Sequence, residues 1–173
     1  MIYFTSDTHF GHRNIIEYCN RPFKDVEEMD REIINNINSM VKHDDTLYHL
    51  GDFSFNVGKY RALINCKNII LVLGNHDKYK YARGYFNAIS EYLKIVVNNK
   101  KIILCHYPFA KWDCSHHGSY HLFGHCHGNH NKWIEEHMPH GLLMDVGVDC
   151  NDFKPISIYK VIETMESKNF KNE

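Results

Sequence analysis

The chain has 173 residues, 43% of them hydrophobic, with 20 Lys and Arg against 21 Asp and Glu for a formal net charge of −1. That length buries one core and predicts a single α/β domain over 1–167, with 168–173 as a solvated tail. Balanced charge excludes the basic stripe of a long-nucleic-acid binder, leaving short oligonucleotides, nucleotides and other small phosphorylated molecules as partners; no apolar run approaches the ~20 residues of a membrane span.

A strand is predicted at IYF (2–4), entered without the basic start and apolar stretch of a signal peptide. Asp25 is placed to cap a helix over 25–42, where Met29, Ile33, Ile34, Ile37, Met40 and Val41 recur at helical spacing. TLYHL (46–50) and NIILVL (68–73) read as strands, with helices near 57–64 and 80–90. LKIVV (93–97) and KIILC (101–105) form a hairpin turning at Asn98 and Asn99. YHLF (120–123) and LLMDVGV (142–148) are further strands, and Ser157 caps a last helix over 157–166. Strands alternating with helices early and consecutive strands late predict a mixed α/β core. The six cysteines contain no C-x-x-C pair, so a zinc knuckle is disfavoured, and the thiols are read as reduced in a cytoplasmic protein.

Chemistry concentrates where the strands stop. IYF runs into TSDTH, TLYHL into GD, NIILVL into GNHD, KIILC into His106, and YHLF into GHCH. Five apolar runs each end in Asp, Asn or His, and ligands of α/β sheets gather at the carboxyl ends of strands. Asp7, His9, Asp52, Asn75, His106, His125 and His127 supply oxygen and imidazole donors enough for two divalent ions, with Asp52 the candidate bridge. A ligand set without cysteine favours manganese, with iron or zinc as alternatives. His125 and His127, two apart, reach one centre, while Cys126 between them faces away into packing. The bland alternative is a histidine-rich surface loop, in a chain with fourteen histidines.

The ordered set D-x-H, G-D, G-N-H-D, a lone His after a strand, and G-H-x-H, spanning residues 7 to 127, resembles the calcineurin-like metallophosphoesterases. SDTHFGHRNII and DVGVDCNDFKPIS are similar to a small, uncapped branch found in bacteria and their phages. The resemblance implies a four-layer α/β/β/α sandwich with two mixed β-sheets. It also implies that Asp7, His9, Asp52 and His127 hold one metal and Asp52, Asn75, His106 and His125 the other. The activity implied is hydrolysis of a phosphomonoester or phosphodiester by in-line attack of a metal-bridging hydroxide, with His76 meeting the substrate and helping the leaving group depart. His12, Arg13 and Asn14 are candidate phosphate contacts. A non-catalytic, metal-stabilised scaffold of the same fold and a nuclease for short oligonucleotides are the alternatives. One departure stands out: where many protein phosphatases of the superfamily carry an Asp three residues after the bridging Asp, this chain has Phe55, which disfavours a phosphoprotein phosphatase and leaves open what orients His76.

Overall fold

The computed structural model describes residues 1–168 and 170. Its elements, in chain order, are β1 (Ile2–Thr5), α1 (Ile15–Tyr18), α2 (Val26–Met40), β2 (Thr46–His49), α3 (Val57–Arg61), β3 (Asn68–Val72), α4 (Tyr79–Ala82), β4 (Ala88–Ser90), β5 (Tyr92–Val97), β6 (Lys100–Cys105), β7 (Tyr120–Phe123), α5 (Asn131–His137), β8 (Leu143–Asp145), β9 (Ile156–Ser157) and α6 (Ile158–Glu166).

Two mixed sheets carry the fold. The first has the order β4-β3-β2-β1-β9, with β1 to β4 parallel and β9 antiparallel beside β1; the second has the order β5-β6-β7-β8, antiparallel only between β5 and β6. Alternation along each strand sorts the apolar side chains onto opposite faces. Leu47, Ile69 and Leu71 meet Met29, Ile33 and Ile37 of α2 on the outer face of the first sheet. Phe4, Val72, Ile102, Leu104 and Leu122 join Ile158, Val161 and Met165 of α6 in a core between the sheets. On the far face of the second sheet, Phe123 and Leu143 pack with Ile134 of α5. The layering is the helix, sheet, sheet, helix sandwich that the motifs imply.

Both expected helix caps form, with Asp25 accepting from the Glu28 N–H and Ser157 from the Lys160 N–H. The hairpin turns at Asn98 and Asn99, both with φ near +50° to +60°, as a two-residue primed turn demands. The expected helix over 80–90 gives way to the single turn α4, because Gly84 at φ +90° breaks it and Ala88–Ser90 pairs in parallel with Ile70–Val72. The helix near 57–64 is shorter than expected, ending at Arg61, and the run 142–148 holds a strand of three residues before a 3₁₀ turn at Val148–Cys150. Of the stretch 168–173, residues 169 and 171–173 lie outside the described residues. Within it the Lys168 ammonium donates to the carbonyls of Gly141 and Leu143, and Phe170 packs against the core between the sheets, because an apolar ring beside an open core edge gains by burial.

Parallel pairing puts the carboxyl ends of β1, β2 and β3 at one edge of the first sheet, and those of β6, β7 and β8 at one edge of the second. A bridge between Ser6 and Gly147, with the Val148 N–H donating to the Ser6 carbonyl, ties the two edges together. Everything in the site hangs from that junction. Leu122 lies fully buried between the sheets beneath it. Leu122→Ala is expected to lower unfolding free energy by about 2–5 kcal/mol in a urea titration, and a loss under about 1 kcal/mol would show that the core there relaxes without a cavity.

Candidate metal centre

All seven sequence-derived ligands stand at this junction, and five of them, Asp7, His9, Asp52, His125 and His127, hold φ between +47° and +70°. Left-handed backbone is uncommon for residues with a Cβ, and its recurrence here aims side chains that a regular strand would send elsewhere. Hydrogen bonds between neighbouring strand ends hold the turns: the Asp7 N–H donates to the Gly51 carbonyl at 2.9 Å and the His9 N–H to the Asp52 carbonyl at 3.0 Å. Gly74 and Gly124 let the loops close in, since a Cβ at Gly74 would collide with Asp52 Oδ1 and one at Gly124 with Ser6 Oγ and Asp7 Oδ2.

The ligand atoms fall into two groups. In one, Asp7, His9 and His127 each offer an atom within 4.8 Å of the others; in the second, Asp52, His106 and His125 do the same. Asp52 Oδ2 faces both, 3.5 Å from His9 Nε2 and 3.6 Å from His106 Nε2. Asn75 joins the second group through its Oδ1, 3.1 Å from His106 Nε2. The chemistry of these contacts calls for a cation. His106 Nδ1 lies 2.7 Å from the Leu50 carbonyl, an acceptor, so Nδ1 carries the ring proton and Nε2 presents a lone pair to two further acceptors, Asp52 and Asn75. Asp7 Oδ1 and His9 Nε2 are buried with no hydrogen-bond partner. Buried polar atoms without partners are costly, and a divalent ion fits these residues.

The electrostatics agree. Burial pushes the Asp7 carboxyl up to about 8, outweighing the opposing pull of His127 and of the Ser6 hydroxyl. Burial, with His127 and Arg21 nearby, drives His9 down to about 2, leaving it a neutral imidazole. Neutral imidazole is the form that binds metal.

Two groups that the motifs did not single out support the first set. Asp149 accepts from His127 Nδ1 at 2.7 Å and from Arg21 Nε and Nη2, both at 2.7 Å, while Arg21 also donates to the Asp7 carbonyl at 2.7 Å. Against its own burial, these bonds hold the Asp149 carboxyl below the usual range; against burial likewise, the Asp149 hydrogen bond lifts His127 to about 10. A carboxylate on the far nitrogen fixes the tautomer of a ligating histidine and leaves Nε2 aimed at the centre. Cys19 also offers its sulfur within 4.8 Å of His127 and Asp149, but the guanidinium on Asp149 opposes a second cation there. The sequence signal was present in DVGVD and in the lone Arg of CNRPF, residues whose partners lie more than a hundred positions away.

His76 sits at the rim, half exposed, its Nε2 4.0 Å from Asp52 Oδ2 and its N–H donating to Asp52 Oδ1 at 2.9 Å. Asp77 does not orient it: its carboxylate accepts from the N–H groups of Asp52, Phe53 and Gly74, stapling two strand-end turns together. The rings of His9, His12 and Phe55 surround the His76 imidazole instead, at centroid distances of 5.3, 6.2 and 5.8 Å. Of the three candidate phosphate contacts, His12 reaches the site, 3.5 Å from His9 between their Nδ1 atoms, whereas Arg13 and Asn14 are exposed at the start of α1 and no hydrogen bond from their side chains ties them to it. Tyr107 lines it, its ring 4.8 Å from His125. His121 is fully buried, bonded to the Phe109 N–H and stacked on the Phe109 ring at 4.9 Å, where burial lowers its pKa to about 4. Cys126 packs beside Phe123 and Ile134, as expected. A cleft of about 410 Å³ walled by Trp112, Trp133 and Met138 includes none of the candidate ligands.

The model of the calcineurin-like phosphoesterase superfamily domain matches residues 1–151. The chain belongs to this family. Calcineurin-like membership and the cation-shaped acceptor set together make this the domain of a metal-dependent phosphoesterase. A protein of Methanocaldococcus jannaschii, described as uncharacterized, is 36% identical over 170 residues, covering 95% of this chain and 91% of its own. The gene 66 protein of Mycobacterium phage L5 is 28% identical, with 86% of each chain covered. Among solved structures, a protein of unknown function from Aquifex aeolicus superposes with a TM-score of 0.79 at 32% identity, covering 95% of this chain and 98% of that one.

Without metal, Asp7 near 8 and His127 near 10 both carry protons at neutral pH, and a cation must displace them. Metal uptake at about pH 7 is therefore expected to release protons, with affinity climbing as pH rises from about 6 to about 8; titration calorimetry in two buffers of different ionisation heat counts them, and a count of zero contradicts the assignment. Asp149→Asn is expected to weaken binding of the first metal about 10–100-fold while leaving the fold intact by circular dichroism, because the amide mates less well with both Arg21 and His127.

Proposed function

We propose that the chain is a dinuclear metal-dependent phosphoesterase, with Asp7, His9, Asp52 and His127 holding one divalent ion and Asp52, Asn75, His106 and His125 the other. The observation that carries this reading is the single Asp52 carboxylate facing one imidazole of each ligand group. Manganese is the favoured ion, with iron or zinc as alternatives, because the donors are carboxylate, amide oxygen and imidazole. Bound there, such ions lower the pKa of water towards ~7 and neutralise phosphoryl charge. The protein side chains do the rest. The buried walls around Asp7 and His9 keep bulk water away from the reacting atoms. The staple made by Asp77 holds Asp52 and Asn75 in register. His76, at the rim, is placed to give a proton to the departing oxygen. In the net reaction the oxygen of water joins phosphorus, and the ester P–O bond breaks with its electron pair on the leaving oxygen. The proton from water ends on that oxygen. A phosphorylated small molecule is the substrate class, monoester or diester, and six free thiols support a reducing, cytoplasmic setting.

Two expected outcomes test this. Reconstituted protein binds close to two metals per chain by elemental analysis, and Asp52→Asn lowers turnover more than any change to a ligand of one ion alone; near-normal metal content and turnover in that variant would move the bridge elsewhere. His76→Ala keeps its metal but loses about 10²–10⁴-fold in turnover on an alkyl phosphate ester, and much less on the nitrophenyl ester, whose leaving group departs without a proton. Equal losses on both would assign His76 to charge stabilisation.

A further inference from the structure

Beside His76 opens a groove of about 360 Å³, lined by Phe55, Asn75, His76, Lys78 and Tyr81. Its walls are unlike a hydrolase rim built only for phosphate. Phe55 is 60% exposed and Tyr81 58%, and Tyr18, 71% exposed, continues the row through the ring of His12, which stands 4.8 Å from Phe55. Exposed aromatic faces offer a stacking platform to a flat partner. Cations stand at the lip of the groove. Lys78 lines it, and from Asn75 to Ser90 Lys78, Lys80 and Arg83 stand against one acidic residue, Asp77, whose carboxylate is spent on three backbone N–H groups. Lys78, Lys80 and Arg83 are exposed and form no ion pair among the described residues, and the Lys80 ammonium lies 4.6 Å over the Tyr81 ring. Because Tyr79–Ala82 is a helical turn, Lys78 and Tyr81, three apart, share the side that lines the groove, and the Lys80 ammonium adds its charge over the Tyr81 ring.

Resting on the phosphoesterase reading above, we infer that this groove seats the leaving-group side of a short single-stranded oligonucleotide, a base stacking between Phe55 and Tyr81 while Lys78 and Lys80 meet the next phosphates. Rings beside cations are what a single strand offers partners for, since every base has a π-face and every linkage a negative charge. An apolar protein partner would leave the three cations unmatched, and a phosphoprotein would leave the rings bare. The molecule's net charge of −1 does not oppose this, because the acidic side chains lie outside the 53–90 segment save Asp77.

The test separates this surface from the chemistry. Fluorescence anisotropy of a labelled hexathymidylate with metal-free protein in chelator measures binding alone; a minimal methyl nitrophenyl diester with manganese-loaded protein measures hydrolysis alone. Hexathymidylate is expected to bind at least tenfold more tightly than the same backbone without bases, and Phe55→Ser with Tyr81→Ser to remove that advantage. Lys78→Gln with Lys80→Gln is expected to reduce the slope of log affinity against log salt by about 1.4, the value for two lost phosphate contacts. Equal binding of the base-free strand overturns the stacking assignment and leaves a general anion surface. No binding of either strand, with the diester still hydrolysed, overturns the inference while the phosphoesterase stands; strand binding without hydrolysis of any ester overturns the phosphoesterase and keeps the surface.

Discussion

The structure is organised around buried acceptors that outnumber the donors facing them. Carboxylate oxygens and imidazole nitrogens from five strand ends converge on a space where Asp7 Oδ1 and His9 Nε2 have no partner and where His106 Nε2 faces two acceptors. Lone pairs turned toward one another repel, and burial denies them water. A divalent cation fits such an arrangement, because its positive charge would meet the lone pairs that protein donors leave unmatched.

Holding those atoms requires backbone that no propensity favours. Five candidate ligands in the left-handed region each cost on the order of 1–3 kcal/mol, and the surroundings over-determine them by linking every turn to its neighbour. Asp77 staples the turn after β2 to the turn after β3; the Asp7 carboxylate takes the His125 N–H and so joins the first sheet to the second; Asp149 and Arg21 close the ring from behind. Asp77 and Asp7 are satisfied by backbone N–H groups and Asp149 by the Arg21 guanidinium and the His127 ring. The chemistry is left to the few atoms that remain.

Much of this was legible in the chain. The strand ends are visible because apolar runs stop abruptly at Asp, Asn and His, and the seven candidate ligands fall on those stops. The long helix α2 is legible for the same reason, a regular period with a cap in front of it. What escaped reading depends on contacts distant in sequence. Arg21 carries no periodic signature, and its partner Asp149 is 128 residues away. His121 looks like any histidine in a histidine-rich segment until β7 is sandwiched between β6 and β8 and the Phe109 loop closes over it. Strand β4 overrides a helix-like run because pairing with β3 satisfies its backbone groups and continues the sheet. Local pattern fixes what a segment can become; tertiary pairing decides which possibility is taken.

Charge behaves the same way. A formal charge of −1 averages over the whole chain and describes no part of its surface. In the folded molecule the acidic side chains that matter most, Asp7, Asp52 and Asp145, are withdrawn into the interior, and Asp77 and Asp149 are spent on backbone, guanidinium and imidazole. The exposed charge beside the site then includes Lys78, Lys80 and Arg83, which form no ion pair among the described residues. An anion approaching the rim meets those cations, not the average. The same folding step that gathers carboxylates for a metal strips them from the surface around it. The neighbourhood becomes more attractive to phosphate than the composition suggests, because a field near a cleft follows the few charges left facing solvent.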